Sequence, residues 1–179
     1  MADLLRRCAV LGALLILYLA PGVAGAQQPG GVLRVAHRDS PASMSSLEEV
    51  TISTIAPMMA VFGNLVIFDQ HVPQNTMQSI VPDLATSWSW TDGTQLTFHL
   101  REGVRWHDGR PFTAKDVQCT WDMLLGKSAS KFRINPRKSW YWNLDQVTTN
   151  GDYEASFHLK QPQPALIALL ASGYSPVYP

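Results

Sequence analysis

The run from Val81 to Trp121 decides the fold: V-P-D-L-A-T-S-W-S-W-T-D-G-T-Q-L-T-F-H-L-R-E-G-V-R-W-H-D-G-R-P-F-T-A-K-D-V-Q-C-T-W. Thr94 to Arg101 alternates, with Leu96, Phe98 and Leu100 on one face and Gln95, Thr97, His99 and Arg101 on the other. That period of two is the mark of a half-buried strand. Asp92-Gly93 ahead of it is a turn pair, so Trp88-Ser89-Trp90 and Leu96-Thr97-Phe98 are expected to form a hairpin. His107-Asp108-Gly109 reads as a second turn between Trp106 and Phe112. Thr113 to Asp116 is T-x-x-D, a capping box with Asp in place of Glu. It opens a helix that buries Val117, Trp121 and Leu124 and ends at Gly126.

Working outward, Tyr153 to Lys160 repeats the alternation after the turn pair Asn150-Gly151, with Tyr153, Ala155, Phe157 and Leu159 inward. This strand shares F-H-L with the first, and the two are expected as similar edges of one antiparallel sheet. Pro162 and Pro164 introduce a second, nearly all-apolar helix over Ala165–Ala171. Upstream, Val32 to Ala36 reads as a short strand and Asp39 to Ser46 as loop. Glu48 to Leu65 reads as a helix interrupted by Pro57, with Ser53 as N-cap. Val66 to Phe68 follows as a strand and Asp69 to Ser79 as a polar loop. Lys127 to Asn143 is basic and aromatic without a period, a surface excursion.

The order P-D-L-A-x-S-W, then F-H-L-R-x-G-V-x-W-H-D-G-x-P-F-T-A-x-D-V, resembles the extracytoplasmic solute-binding proteins of the peptide/nickel class of ABC importers, solute-binding protein family 5. G-G-x-L-R-V-A at Gly30–Ala36 is similar to the opening of their first strand. The resemblance implies an α+β chain, the N-terminal part of a two-lobed periplasmic-binding-protein-like fold, with an antiparallel or mixed sheet and flanking helices. Residues 27–62 would start the first lobe, residues 63–179 would form a subdomain attached to it, and the second lobe would be absent, as if the chain were truncated. The implied function is capture of a small solute, a peptide first among them, and its delivery to the membrane subunits of an ABC permease by a monomer. The alternative is a non-transporting fragment acting as an interaction or chaperone-like module. By the same resemblance Trp140, in the irregular basic segment, is the leading ligand-contact candidate, followed by Ser43, Met44 and Glu48 in the loop after the first strand.

The N-terminus reads as a targeting segment. Arg6 and Arg7 precede the apolar run Ala9–Ala20, Pro21-Gly22 break it, and Ala24-Gly25-Ala26 supplies a cleavage pattern. The run is shorter than the roughly twenty residues a membrane span needs. Cleavage after Ala26 would yield a periplasmic chain of 153 residues, enough for one core. Cys8 would leave with the signal, and Cys119, then alone, is expected to be buried. Lys plus Arg and Asp plus Glu are both 14, and without Arg6, Arg7 and Asp3 the balance is 12 to 13. With no basic stripe to track a phosphate backbone, nucleic acid has no electrostatic footing.

Enzyme chemistry finds no foothold. His107-Asp108 lacks a nucleophile or metal partner and is accounted for by its turn. His99 and His158 lie on polar strand faces but lack the further ligands a zinc site requires. Gly126-Lys127-Ser128 mimics the end of a phosphate loop without its first glycine. The expectation is no catalytic residue, no metal and no cofactor. All six tryptophans fall between Trp88 and Trp142, and Trp88, Trp106 and Trp121 are expected in the core.

Overall fold

The computed structural model describes residues 30–32, 34–37 and 39–179. The expected signal segment, residues 1–26, lies outside the described residues. Residues 37–179 form one compact unit, and the residues before it belong to another. In that other unit Val32, Arg34, Val35 and Ala36 form no strand, against expectation. Propensity alone does not make a strand; a ladder partner does, and no turn signal beside these residues supplies one.

In the compact unit the elements run α1 (Ile52–Met58), β1 (Val66–Phe68), β2 (Ile80–Pro82), β3 (Ala85–Thr91), β4 (Gln95–Leu100), α2 (Ala114–Leu125), β5 (Leu144–Thr149), β6 (Glu154–Leu159) and α3 (Leu166–Leu170). β1 and β2 make a two-stranded antiparallel sheet; the other four strands make an antiparallel sheet in the order β3-β4-β6-β5. The architecture is α+β, as expected.

The central hairpin follows its sequence signals. Trp88 pairs with Phe98 and Trp90 with Leu96. Asp92 (φ 51°) and Gly93 (φ 66°) turn the chain through the left-handed region, the geometry that matches the twist of a hairpin. Leu96, Phe98 and Leu100 are buried. β4 and β6 are not edges, however. They are the two central strands, joined Leu96 to Phe157 and Phe98 to Ala155. They carry the most apolar inward faces, and the more polar β3 and β5 take the edges. Tyr153, expected inward, is exposed, because the ladder ends at the His99–Glu154 rung just after it. β5 escaped the sequence reading for a physical reason. A register irregularity between Leu144 and Gln146 puts its inward residues, Leu144 and Val147, three positions apart and erases the alternation.

α2 packs on the apolar face of this sheet. Asp116 accepts the Thr113 backbone N–H at 2.7 Å, and Gly126 closes the helix at φ 75°. Val117, Trp121 and Leu124 form the buried stripe, and the Trp121 ring meets Phe157 edge-on at 4.8 Å. Burying such a stripe contributes about 2 kcal/mol per large side chain. Cys119 is exposed, which overturns the expectation of burial. At 100° per residue it sits opposite the stripe. Trp121 is wholly buried, whereas Trp88 and Trp106 are half-buried at the margin of the core. α1 is shorter than expected, and its N-cap is Thr51, not Ser53. Pro57 withholds an N–H and the helix ends one residue later. Asn64 then pulls the chain into β1 by donating its side-chain amide to the Leu170 and Ser172 carbonyls.

Candidate functional site

α1, the turn after it, β1 and the segment 171–176 enclose a groove of 890 Å³. Its walls are apolar, with Met58, Met59, Phe62, Ile67 and Phe68 facing Tyr174, while Asn64 and Asp83 supply polar groups. Met59 and Val61 on its rim remain half-exposed, so the groove is open to solvent. Gly173 packs closely under Met59: a Cβ there would lie 2.5 Å from the Met59 sulfur and would push that half-exposed side chain aside. Asp83 accepts the Asn64 backbone N–H at 2.9 Å, and Val177 donates to the Gly63 carbonyl at 2.9 Å. β1 and the C-terminal segment are thereby stitched into one wall.

At one end of the groove three chain segments converge on Arg137, a residue the sequence reading passed over. Its side chain is fully buried. Nη1 donates to the Tyr174 carbonyl at 2.7 Å; Nη2 donates to the carbonyls of Glu49, at 2.8 Å, and Ser46. No carboxylate among the described residues pairs with it, and Nε has no acceptor there. Burial pushes its pKa down from the ordinary arginine value, partly offset by Tyr141, Tyr178 and Tyr174. A buried cation held only by carbonyls is costly to maintain, so it survives because it ties three backbones together. Tyr178, whose hydroxyl bonds the Ser46 hydroxyl, is pushed up to about 12 by burial, against the opposing pull of Arg137. Burial likewise raises Tyr141, against a hydrogen bond with Ser175.

The sequence-named candidates gather around this junction to different degrees. Trp140 lies on a short turn, Lys138–Tyr141, and packs its ring edge-on against Tyr174 with centroids 5.5 Å apart. It stands one ring away from the groove, not in its wall. Ser43 spends its hydroxyl on the Ser45 N–H at 3.0 Å, and its carbonyl takes the Thr54 hydroxyl at 3.0 Å. Met44 points into solvent. Glu48 accepts the Arg133 backbone N–H, with its other oxygen 4.0 Å from the Arg133 guanidinium. From this loop Ser46, not these three, reaches the groove. Arg137 and Tyr174 were legible only as members of a basic run and an apolar tail; no sequence period marks a residue that acts through backbone carbonyls.

The other candidates are separate from the groove. His107–Gly109 is a turn, with the Gly109 N–H donating to the Trp106 carbonyl at 2.9 Å and Asp108 accepting from Arg110 at 2.7 Å. The backbone and side-chain hydrogen bonds of Arg110 hold the Asp108 carboxyl below its usual range. β4 and β6 are neighbours, but Gln95 pairs with His158 and His99 with Glu154. The two histidines are thus four rungs apart, about 13 Å, too far to share an ion. Each has its own partner, Glu154 at 3.4 Å from His99 and the Thr148 hydroxyl at 2.7 Å from His158. Lys127 and Ser128 donate backbone N–H groups to the Asp122 carbonyl, the arrangement of a helix C-cap and not of a phosphate loop.

The profile of the family described as bacterial extracellular solute-binding proteins, family 5 Middle, matches residues 79–179, over half of the chain. The chain belongs to the family 5 solute-binding proteins. The periplasmic murein peptide-binding protein MppA of Escherichia coli is 35% identical over 96 residues, 53% of this chain and 17% of that protein. The periplasmic alpha-galactoside-binding protein of Rhizobium meliloti is 34% identical over 103 residues, 54% of this chain and 14% of that protein. Among solved structures, the binding protein MoaA of A. tumefaciens R10 in complex with mannopinic acid superposes with a TM-score of 0.65 at 25% identity, covering 77% of this chain and 27% of that one. The chain therefore spans a small part of its relatives' length, and within family 5 the part it spans is the helix-covered sheet with the groove beside it.

Proposed function

We propose that this family 5 chain is exported, processed after Ala26, and serves as the solute-capturing component of an ABC importer, with a peptide as its solute. The observation that carries the reading is the open apolar groove ending at the Arg137 junction, where Tyr174 lines the groove and Trp140 backs it edge-on. Such a wall with a few fixed polar groups suits an extended, mostly apolar ligand with hydrogen-bonding backbone. Asp83, which commits one carboxylate oxygen to the Asn64 N–H, lines the groove as an acceptor for such a backbone, while Asn64 spends its amide on the Leu170 and Ser172 carbonyls. Trp140 is the contact residue of this proposal; Ser43, Met44 and Glu48 shape the loop that Arg137 pins. The role is binding without bond-making, by a monomer, ahead of transfer to permease subunits.

Thermal unfolding in the presence of short peptides tests it. A ligand at ten times its dissociation constant stabilises by about 1.4 kcal/mol, a rise of a few degrees. The expected result is such a rise with peptides at millimolar concentration, absent in Trp140→Ala when that variant is compared with its own ligand-free midpoint. No rise with any peptide would sink the reading.

A further inference from the structure

Between Asp122 and Asp145 the chain carries Lys127, Lys131, Arg133, Arg137 and Lys138 and no acidic residue, in a molecule whose formal charge is zero. The structure gathers several of these cations into one place. Lys131 Nζ donates to the Gly126 carbonyl at 2.6 Å, and Lys138 Nζ lies 3.4 Å from where a Gly126 Cβ would stand. Lys127 Nζ donates to the Asp145 carbonyl, and from β6's far end Lys160 Nζ donates to the Trp142 carbonyl at 2.8 Å. All four lysines are exposed, and among the described residues none is in an ion pair. Lys127, Lys131 and Lys160 are held by carbonyls rather than carboxylates and Lys138 lies beside Gly126, so all four keep their charge unneutralised. Part of this is the ordinary attraction of ammonium groups to a helix C-terminus. That attraction does not explain the indoles beside them: Trp142 is 58% exposed and Trp140 36%. Exposed tryptophans are enriched at binding faces, and clustered like charge beside them sets the sign of the ligand such a face attracts. Among the described residues between Asp122 and Lys160 that border this face, Asp145 is an exposed acid, and Glu48 is already engaged by Arg133.

The face is continuous with the groove. Trp140 packs on Tyr174, Tyr174 lines the groove, and Arg137, one residue before Lys138, lies under the same ring at 5.7 Å. We infer that the lysine–tryptophan face selects the charge of the solute, so that the peptide favoured by this site is an acidic one whose carboxylates lie toward Lys131 and Lys138. The inference rests on the peptide reading above and adds the substrate class.

The indole N–H signals of Trp140 and Trp142 report it directly in the isotope-labelled chain. Three tetrapeptides serve as probes: Ala-Glu-Glu-Ala, Ala-Gln-Gln-Ala and Ala-Lys-Lys-Ala. The expected result is binding of the glutamate peptide roughly fivefold tighter than the glutamine one, the worth of two exposed ion pairs. The preference should collapse when ionic strength rises from about 0.02 M to about 0.5 M. Lys131→Ala with Lys138→Ala should remove it, and Lys131→Arg with Lys138→Arg should restore it. Equal binding of the three peptides at Trp140 overturns the charge selection and leaves the peptide reading standing; no perturbation by any of them overturns both. Vesicles of phosphatidylcholine with and without phosphatidylglycerol form the last arm. Broadening of the Trp142 signal only by the anionic vesicles, with no response to the glutamate peptide, assigns the face to a membrane surface and overturns the inference.

Discussion

Arg137 concentrates the energetics of the junction in one side chain. Three carbonyls, the buried one of Ser46 and the part-buried ones of Glu49 and Tyr174, depend on it. Arg137→Ala leaves them without their donor, at a cost of about 3 kcal/mol or more, and Arg137→Lys should recover only part of it because one ammonium cannot reproduce the fork. Urea unfolding of the two variants checks this; full stability in the alanine variant would show that the junction is not held by the guanidinium. The neighbouring phenols add a pH dependence whose direction follows from burial. Below about pH 10 Tyr178 is neutral in both the folded and the unfolded chain and contributes no slope. Above it the unfolded chain loses a proton that the folded chain keeps until about 12, so stability falls as pH rises between those values. Tyr141 acts in the same direction. Melting points measured from about pH 9 to 12 should fall less steeply in Tyr178→Phe than in the parent chain; parallel curves would contradict the assignment.

At the scale of elements, the four-stranded sheet provides a paired test one residue apart. Leu100 is buried on the inward face of β4, and His99 is exposed on the outward one. Leu100→Asp places an unpaired charge in the core, at a cost of several kcal/mol, whereas His99→Asp should cost under about 1 kcal/mol, chiefly by repulsion from Glu154. Equal loss of stability in both would contradict the half-buried strand. The same strand shows why part of the fold was legible. β3, β4, β6, α2 and α3 announce themselves because local signals agree with tertiary packing: the Asp92-Gly93 turn, the Thr113–Asp116 box, the Gly126 stop. β5 did not, since its irregularity breaks the period. The central position of β4 and β6 was hidden because alternation tells which face is buried and says nothing about which strand is the neighbour. Cys119 was readable after all: helical geometry sets it opposite Val117 and Trp121, and the general tendency of free cysteines to be buried was the weaker guide.

For the whole molecule, the proposed export carries a definite prediction: a processed product should begin at Gln27, and mass spectrometry finding Met1 retained would contradict the proposal. The groove makes another. Its rim leaves Met59 and Val61 half-exposed, so water competes for every polar contact a solute makes there. The processed chain should hold a short apolar peptide at roughly millimolar strength, about −4 kcal/mol. What the sequence could not show was the groove itself, because the 171–176 segment that faces α1 and β1 lies more than a hundred residues further along the chain. Residue-by-residue amide shifts during a titration with tetra-alanine test the central claim most directly. The account predicts saturable, millimolar changes at Phe62, Asn64, Ser172, Gly173 and Tyr174 and at the Trp140 indole, lost in Trp140→Ala. Changes confined to the polar sheet face around Thr97 and Ser156, or none at all, would contradict it, as would a micromolar constant, which an open groove cannot supply.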